Sequence, residues 1–305
     1  MIRTLLTTAA IMAGALFALP AFAAEKEPFI YVVNSGSPTG TFNAITRAYS
    51  EDLEQYYEKV KFVHARGCAK AAQVTGRLDK PTLTLWEGPQ YSLYLDGKND
   101  VCAIDINKKN FLRADLKYNW ILVNPNSGLT LEDLKSDQRR WTVGHDVPKS
   151  SWESFLDQME SELGNELQSV TYESSGNASL ALVSGEVDFL ITNTKQAIRY
   201  IEQGKMKPIA TLNPEGTTYQ GKAIPAVESF ADFPLASAGR SEFILGLNMT
   251  KEEREHLDRS LREIHNDPES AASQWYATAG YTNSFEFEDD VAFDKAMDLV
   301  EIWRE

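Results

Sequence analysis

Histidine and cysteine are scarce in this chain, with four of the first and two of the second among 305 residues. His64, His145, His256 and His265 form no H-E-x-x-H pair and no Cys/His group at zinc spacing, so the usual sequence signatures of a metal centre are missing. There is no G-x-S-x-G nucleophile elbow, because "GSPTG" (36–40) carries its serine in the second place rather than the third. Neither a Walker A loop nor a dinucleotide fingerprint occurs. Positive charge is also short: 30 Lys and Arg against 44 Asp and Glu leave a formal net charge of −14. That balance argues against nucleic acid or an anionic membrane surface as partner, since both reward clustered cations. A small anion is not excluded, because it responds to local fields first. After the N-terminus no apolar run approaches the roughly 20 residues a bilayer requires. No catalytic machinery and no cofactor site is legible, and none is expected.

What is present begins with "MIRTLLTTAAIMAGALFALPAFA", which has one cation (Arg3), an apolar stretch and an A-x-A ending. It reads as a secretory signal peptide over residues 1–23, cleaved after Ala23. Cys68 and Cys102 both lie in the exported part, where a pair of this kind is usually a disulfide. The alternatives are two buried free thiols, or a reactive thiol at Cys68 with its pKa lowered by Arg66 and Lys70.

Apolar runs alternate with helical periodicity along the rest of the chain, which indicates an α/β architecture. Strands are expected at 29–33, 60–64, 82–86, 118–123, 141–145, around 170–172, at 187–191, 207–211 and 242–247. Phe42, Ile45, Tyr49 and Leu53 mark one helical face. Trp152, Phe155, Leu156, Met159 and Leu163 mark another over 150–163. Thr250 and Glu253 form a capping box ahead of Leu257, Leu261 and Ile264. A last helix carries Phe293, Met297 and Val300. The polar stretch 213–241 suits a return connection between two lobes.

Four small-residue turns stand between a strand and a helix start: "SGSPTGT" (35–41), "RGCAKAA" (66–72), "GHDVPKSS" (144–151) and "ESSGNAS" (173–179). Helix N-termini offer unpaired N–H groups and a partial positive charge. In open α/β sheets such turns gather at the carboxyl ends of the strands, where ligands bind. The pattern points to a binding cleft rather than a catalytic one. His145, in a turn between strand and helix, is the histidine most suited to lining it.

At these residues the chain resembles the periplasmic solute-binding proteins of tripartite tricarboxylate transporters, the Bug or TctC type. The resemblance rests on Pro38-Thr39-Gly40-Thr41-Phe42-Asn43 with Arg47, then on Gly67-Cys68-Ala69-Lys70-Ala71. It continues through "LVNPNSGLTLEDL" and most specifically "VTYESSGNASLALVSGEVDFLITN", with Gly185, Val187 and Asp188. It implies a type II periplasmic-binding-protein fold: two lobes, each a mixed sheet flanked by helices, with the ligand cleft between them. Lobe I would comprise 24–123 plus 237–305, and lobe II 124–236, with hinge crossings near 124 and 236.

The resemblance further implies a periplasmic, monomeric receptor for a carboxylate-bearing solute, handed on to membrane transporter subunits. The carboxylate would sit on the first two turns, at Ser37 to Asn43 and Gly67 to Lys70. Lys70, Lys149 and His145 would add positive charge, and Ser150, Ser174, Ser175, Asn177 and Asp188 would come from the second lobe. The family's first-turn acid is Asn43 here. Trp86 and Glu87 stand where the family has smaller groups, so Trp86 is either a stacking platform or core, and Glu87 either a cation partner or solvent-facing. Other readings are a TRAP-type receptor, a sensory binding protein, or an exported enzyme using Cys68.

Overall fold

The computed structural model describes residues 26–38, 40–97, 102–136, 139–146, 151–227, 240–279, 281–285 and 290–304. The first half of the chain runs β1 (Ile30–Asn34), α1 (Thr41–Asp52), β2 (Val60–His64), α2 (Cys68–Thr75), β3 (Thr82–Glu87), α3 (Gly88–Leu95), β4 (Phe111–Lys117) and β5 (Trp120–Val123). Then come α4 (Leu131–Ser136), β6 (Trp141–Asp146), α5 (Ser151–Leu163), β7 (Leu167–Tyr172), α6 (Ser175–Ser184), β8 (Phe189–Thr192), α7 (Thr194–Glu202) and β9 (Lys207–Thr211). A hairpin of β10 (Thr217–Tyr219) and β11 (Lys222–Ile224) precedes β12 (Arg240–Leu247), α8 (Lys251–Asn266), α9 (Ala271–Ala279), β13 (Tyr281–Phe285) and α10 (Asp290–Ile302).

Two mixed sheets result. The first has six strands in the order β13-β4-β12-β3-β1-β2, and the second five in the order β7-β6-β8-β5-β9. In the first, β1 runs parallel to β2 and β3, while β12 is antiparallel to β3 and β4. In the second, β6 is parallel to β7 and β8, and β5 is antiparallel to β8 and β9. The chain leaves the first sheet at Lys117, and β5 already pairs in the second. The first crossing therefore falls at Tyr118–Asn119, ahead of the expected position near 124, and Trp120–Val123 belong to the second sheet rather than the first. A single apolar run, 118–123, holds both crossing and strand, so composition does not mark the boundary. The return expected near 236 lies outside the described residues.

Each sheet buries both faces, as strands covered by helices on either side must. Along β5, Trp120 and Leu122 enter one core cluster of the second lobe and Ile121 and Val123 the other, the period of two expected of a strand. In the first lobe Leu83 and Leu85 of β3 pack with α1, α8 and α9, while Trp86 packs on the opposite face. The last helix spans the lobes: Ala296 and Val300 lie in a first-lobe cluster, while Ile302 packs against the second-lobe cluster that holds Trp303, the residue after the helix. The expected capping box at Thr250 and Glu253 is formed. Helix α9 is capped from afar, the Asp52 carboxylate accepting from the N–H groups of Ala271 and Ala272 at 2.9 and 2.8 Å. Among the described residues no helix is long and apolar enough to cross a membrane.

Candidate functional site

The helices α1, α2, α3, α6 and α7 each follow the carboxyl end of a strand, and most of these turns face one another across the gap between the sheets. They enclose a cavity of about 660 Å³. The first lobe lines it with Ser35, Gly36, Ser37, Gly40, Thr41 and Phe42, then Arg66, Gly67, Cys68 and Ala69, and with Glu87, Gln90 and Lys117. The crossing contributes Asn119, and the second lobe Trp152, Thr171, Tyr172, Glu173, Ser174, Thr192 and Asn193.

The first turn is held from beneath. Buried Asn34 accepts from the Gly36 N–H at 2.9 Å and donates to Asn43 Oδ1 at 3.0 Å, and Asn43 donates to the Pro38 carbonyl at 2.9 Å. A Cβ on Gly36 would lie 2.5 Å from that of Phe42, so the tight turn requires glycine there. Helix α1 starts at Gly40 with no side-chain cap, leaving its first N–H groups to other partners. The second turn is tied to the first, the Gly67 N–H donating to the Ser35 carbonyl at 2.7 Å. Gly67 has φ +87° and open space where a Cβ would stand, a conformation that glycine adopts without strain. Cys68 is joined to Cys102 in a disulfide, with Cα atoms 5.0 Å apart. That bond takes up the thiol on which the exported-enzyme reading rested.

The floor of the first lobe is ionic. The Lys117 ammonium donates to Glu242 and lies 3.4 Å from Glu87 Oε1, and all three side chains are buried. The same ammonium stands 5.0 Å from the Phe42 ring centroid. Behind it, on the same face of β4, Arg113 donates to Asp115 at 2.7 Å and the Tyr276 hydroxyl donates to the other Asp115 oxygen at 2.6 Å. Glu87, Glu242 and Asp115 occupy one rung across β3, β12 and β4, a row of buried carboxylates that only adjacent cations make tenable.

On the second lobe, Ser174 caps α6 by accepting from the Asn177 N–H at 3.2 Å. The Tyr172 hydroxyl donates to Glu186 at 2.9 Å. Burial, then that carboxylate, pushes the phenol up to about 12. The lobes touch at the cavity, where Asn193 Nδ2 donates to Thr41 Oγ1 at 2.8 Å and Arg66 lies 3.9 Å from Glu173, and also where Lys195 Nζ donates to Thr278 Oγ1 at 3.0 Å. The exposed Arg66–Glu173 pair contributes little by itself. Among the described residues no three His, Cys, Asp or Glu side chains gather as a metal site.

Of the residues chosen from sequence, Ser37, Gly40, Thr41, Phe42, Gly67, Cys68, Ala69, Glu87 and Ser174 line the cavity. The others that are described stand apart from it. Pro38 is exposed and Asn43 braces the turn from below. Lys70 is exposed and donates to Gln73, and Trp86 is core. His145 belongs to β6 itself rather than to a turn, buried with Nε2 2.6 Å from Ser169 Oγ. Ser175 is buried and Asn177 exposed. Asp188 precedes β8, at the end away from the cleft, where it accepts from the N–H and hydroxyl of Thr142. Thr39, Lys149 and Ser150 lie outside the described residues. Sequence reasoning missed Lys117, Asn119, Thr192 and Asn193, which sit at strand ends whose placement depends on sheet order, and Trp152, read only as core.

Comparison with known proteins agrees with this geometry. A sequence-family profile for the periplasmic substrate-binding protein of phosphonate ABC transporters matches residues 142–229, within the second lobe. No curated protein matches the chain by sequence. The periplasmic binding protein BugD superposes with a TM-score of 0.69 at 16% identity, covering 92% of this chain and 96% of BugD. MatC from Rhodopseudomonas palustris, with bound malate, gives 0.67 at 15% identity over 94% of this chain and 99% of MatC. A further R. palustris protein, with adipate, gives 0.68 at 15% identity over 92% of this chain and 95% of its own. With two mixed sheets flanked by helices and a cleft between their strand ends, this chain has the fold of the type II periplasmic binding proteins.

Proposed function

We propose that this protein is an extracytoplasmic receptor of the Bug or TctC type, which captures a small carboxylate-bearing solute between its lobes and delivers it to a tripartite tricarboxylate transporter. The observation that carries the reading is the cavity itself, framed by the uncapped start of α1 and the Gly67 turn in the first lobe and by the starts of α6 and α7 in the second. Backbone N–H groups and the hydroxyls of Ser35, Ser37 and Thr41 receive the carboxylate, helped by the positive ends of α1 and α2. The malate and adipate of the structural relatives support this class. Closure about Tyr118–Asn119 and the return strand brings Asn193 onto Thr41, and the closed face is what the membrane subunits read. The protein works in the periplasm after loss of residues 1–23, which intact-mass measurement of the exported protein checks.

The test is a thermal-shift panel of short carboxylates, with amines and neutral aromatics as controls. A carboxylate present at 100 times its dissociation constant adds roughly 2.7 kcal/mol of stability. Hits confined to amines or neutral rings contradict the carboxylate assignment. The phosphonate profile over 142–229 favours a second reading, an ABC-type receptor for an oxyanion such as a phosphonate. Short phosphonates in the same panel separate the two.

A further inference from the structure

Where the chain passes from one sheet to the other, the cavity wall carries two polar atoms that the fold leaves unmatched. Asn119 stands between the last residue of β4 and the first of β5. It is 2% exposed, and its Oδ1 has no hydrogen-bond partner among the described residues. Thr192, the last residue of β8, is 3% exposed and its Oγ1 is in the same condition. Thr192 pairs in register with Trp120, the neighbour of Asn119, and both Asn119 and Thr192 line the cavity. A buried polar atom without a partner costs about 1–3 kcal/mol, and a solute group that reaches it removes that cost.

The chemistry required of that group is set by the surroundings. A carboxamide oxygen only accepts. The Lys117 ammonium close by is already directed at Glu87 and Glu242, and the Glu87 carboxylate, also on the cavity wall, is a further acceptor. Beside the Asn119 amide N–H2 group, this end of the cavity holds three acceptors, Asn119 Oδ1, the Thr192 hydroxyl oxygen and the Glu87 carboxylate, whereas the turns at α1 and α2 present donors. We infer that the solute carries, besides its carboxylate, a hydrogen-bond donor, a hydroxyl or an ammonium, which Asn119 Oδ1 and Thr192 Oγ1 receive. Asn119 and Thr192 are then specificity-determining residues that reject the plain acid. The inference rests on the carboxylate reading above.

The experiment is calorimetric titration of the mature protein with short mono- and dicarboxylates in matched sets, each as the plain acid, the α-hydroxy acid and the α-amino acid. Within the set that binds, a donor-bearing member is expected to bind at least about tenfold tighter than the plain acid, the equivalent of one good hydrogen bond. Asn119→Ala should erase that preference with little effect on the plain acid. Asn119→Asp, which keeps an acceptor and adds charge, should preserve it and favour the amine over the hydroxyl. Thr192→Val, isosteric and safe for folding, should reduce it. Thermal midpoints of each variant separate lost binding from lost structure. Equal affinity across a set, or a preference that survives both Asn119→Ala and Thr192→Val, overturns the inference while leaving the carboxylate reading intact. Binding of no member of any set contradicts the carboxylate reading, and this inference with it.

Discussion

The two sheets share a layout but not a chemistry. The second is apolar through its middle, where alternation along β5 and over Phe189–Ile191 of β8 sends each side chain to one of two greasy layers, and only Thr192, at the cleft end of β8, is polar. The first carries Arg113, Asp115 and Lys117 on a strand buried along its whole length, between β13 and β12, with Glu242 and Glu87 on the next two strands. A buried ionic row is seldom the stable choice, since apolar residues of similar volume do as well or better. It does place fixed charge at a set point, here the floor of the cleft. The contrast is one of floor and roof: the first lobe lines the cavity with buried ionic groups, while the second lobe lines it with Trp152, Thr171, Tyr172, Ser174, Thr192 and Asn193 and with a single exposed carboxylate, Glu173.

That contrast can be broken most directly at Lys117. Lys117→Met leaves Glu87 and Glu242 buried side by side without the ammonium between them, and should cost about 3–5 kcal/mol in urea unfolding. A cost below about 1 kcal/mol would mean that the row is not held by that ammonium. Next in size is the disulfide, also in the first lobe. Cys68 and Cys102 are separated by 34 residues, and replacing both by Ser should lower stability by about 3–4 kcal/mol on the chain-entropy account. Thiol titration of the denatured protein with and without reductant checks the bond itself.

A third consequence is a pH dependence in the first lobe. His265 lies with Nε2 2.7 Å from the Tyr49 hydroxyl, and burial, then the nearby Arg113, pulls its pKa down from 6.5 to about 3. Above pH 6.5 the imidazole is neutral in both folded and unfolded chains, so it contributes no slope. Below that pH the unfolded chain takes up a proton that the folded one refuses. Stability should then fall by about 1.4 kcal/mol per pH unit toward pH 3. Denaturation curves of the wild type and of His265→Gln between pH 7 and 5 should differ by that slope. Parallel curves would place the proton elsewhere. The smallest effect belongs to the second lobe, where Ile191→Val trims one methylene from a purely apolar layer. It should cost about 0.5–1.5 kcal/mol at any pH in this range.

The same contrast explains what was legible in the sequence. The strands at 60–64 and 207–211 could be read to their ends, the first from the β-formers Val60, Phe62 and Val63 and the second because a short apolar stretch lies between the breakers Gly204 and Pro214. The second lobe's α5 could be read from its apolar spacing. Strand β4, "FLRADLK", was not recognised. Charged residues at every second position read as a solvent face, and the groups that make the row tolerable, Glu242, Glu87 and Tyr276, come from distant parts of the chain. The site divides in the same way. The turns at 35–41 and 66–72 announce themselves through small residues, glycine above all, before a helix. Asn119, Thr192 and Asn193 become neighbours only when β5 and β8 pair. A sharper reading of β3 was possible, since a period of two puts Trp86 and Glu87 on opposite faces, one in the core and one on the cavity. His145 misled because its position near a strand end looked like a turn, while register with β7 buries it.

The central claim is that solute binds between the lobes against the first two turns, and Ala69 tests it best. Ala69 is exposed at the start of α2 and lines the cavity, so Ala69→Trp fills the cleft without disturbing a core or a positive-φ position. Calorimetry of the tightest carboxylate from the panel against wild type and Ala69→Trp is the measurement. The account predicts a loss of at least about 100-fold in affinity, near 2.7 kcal/mol, with an unchanged thermal midpoint in the absence of solute. Wild-type affinity in Ala69→Trp would place the solute elsewhere and contradict the account.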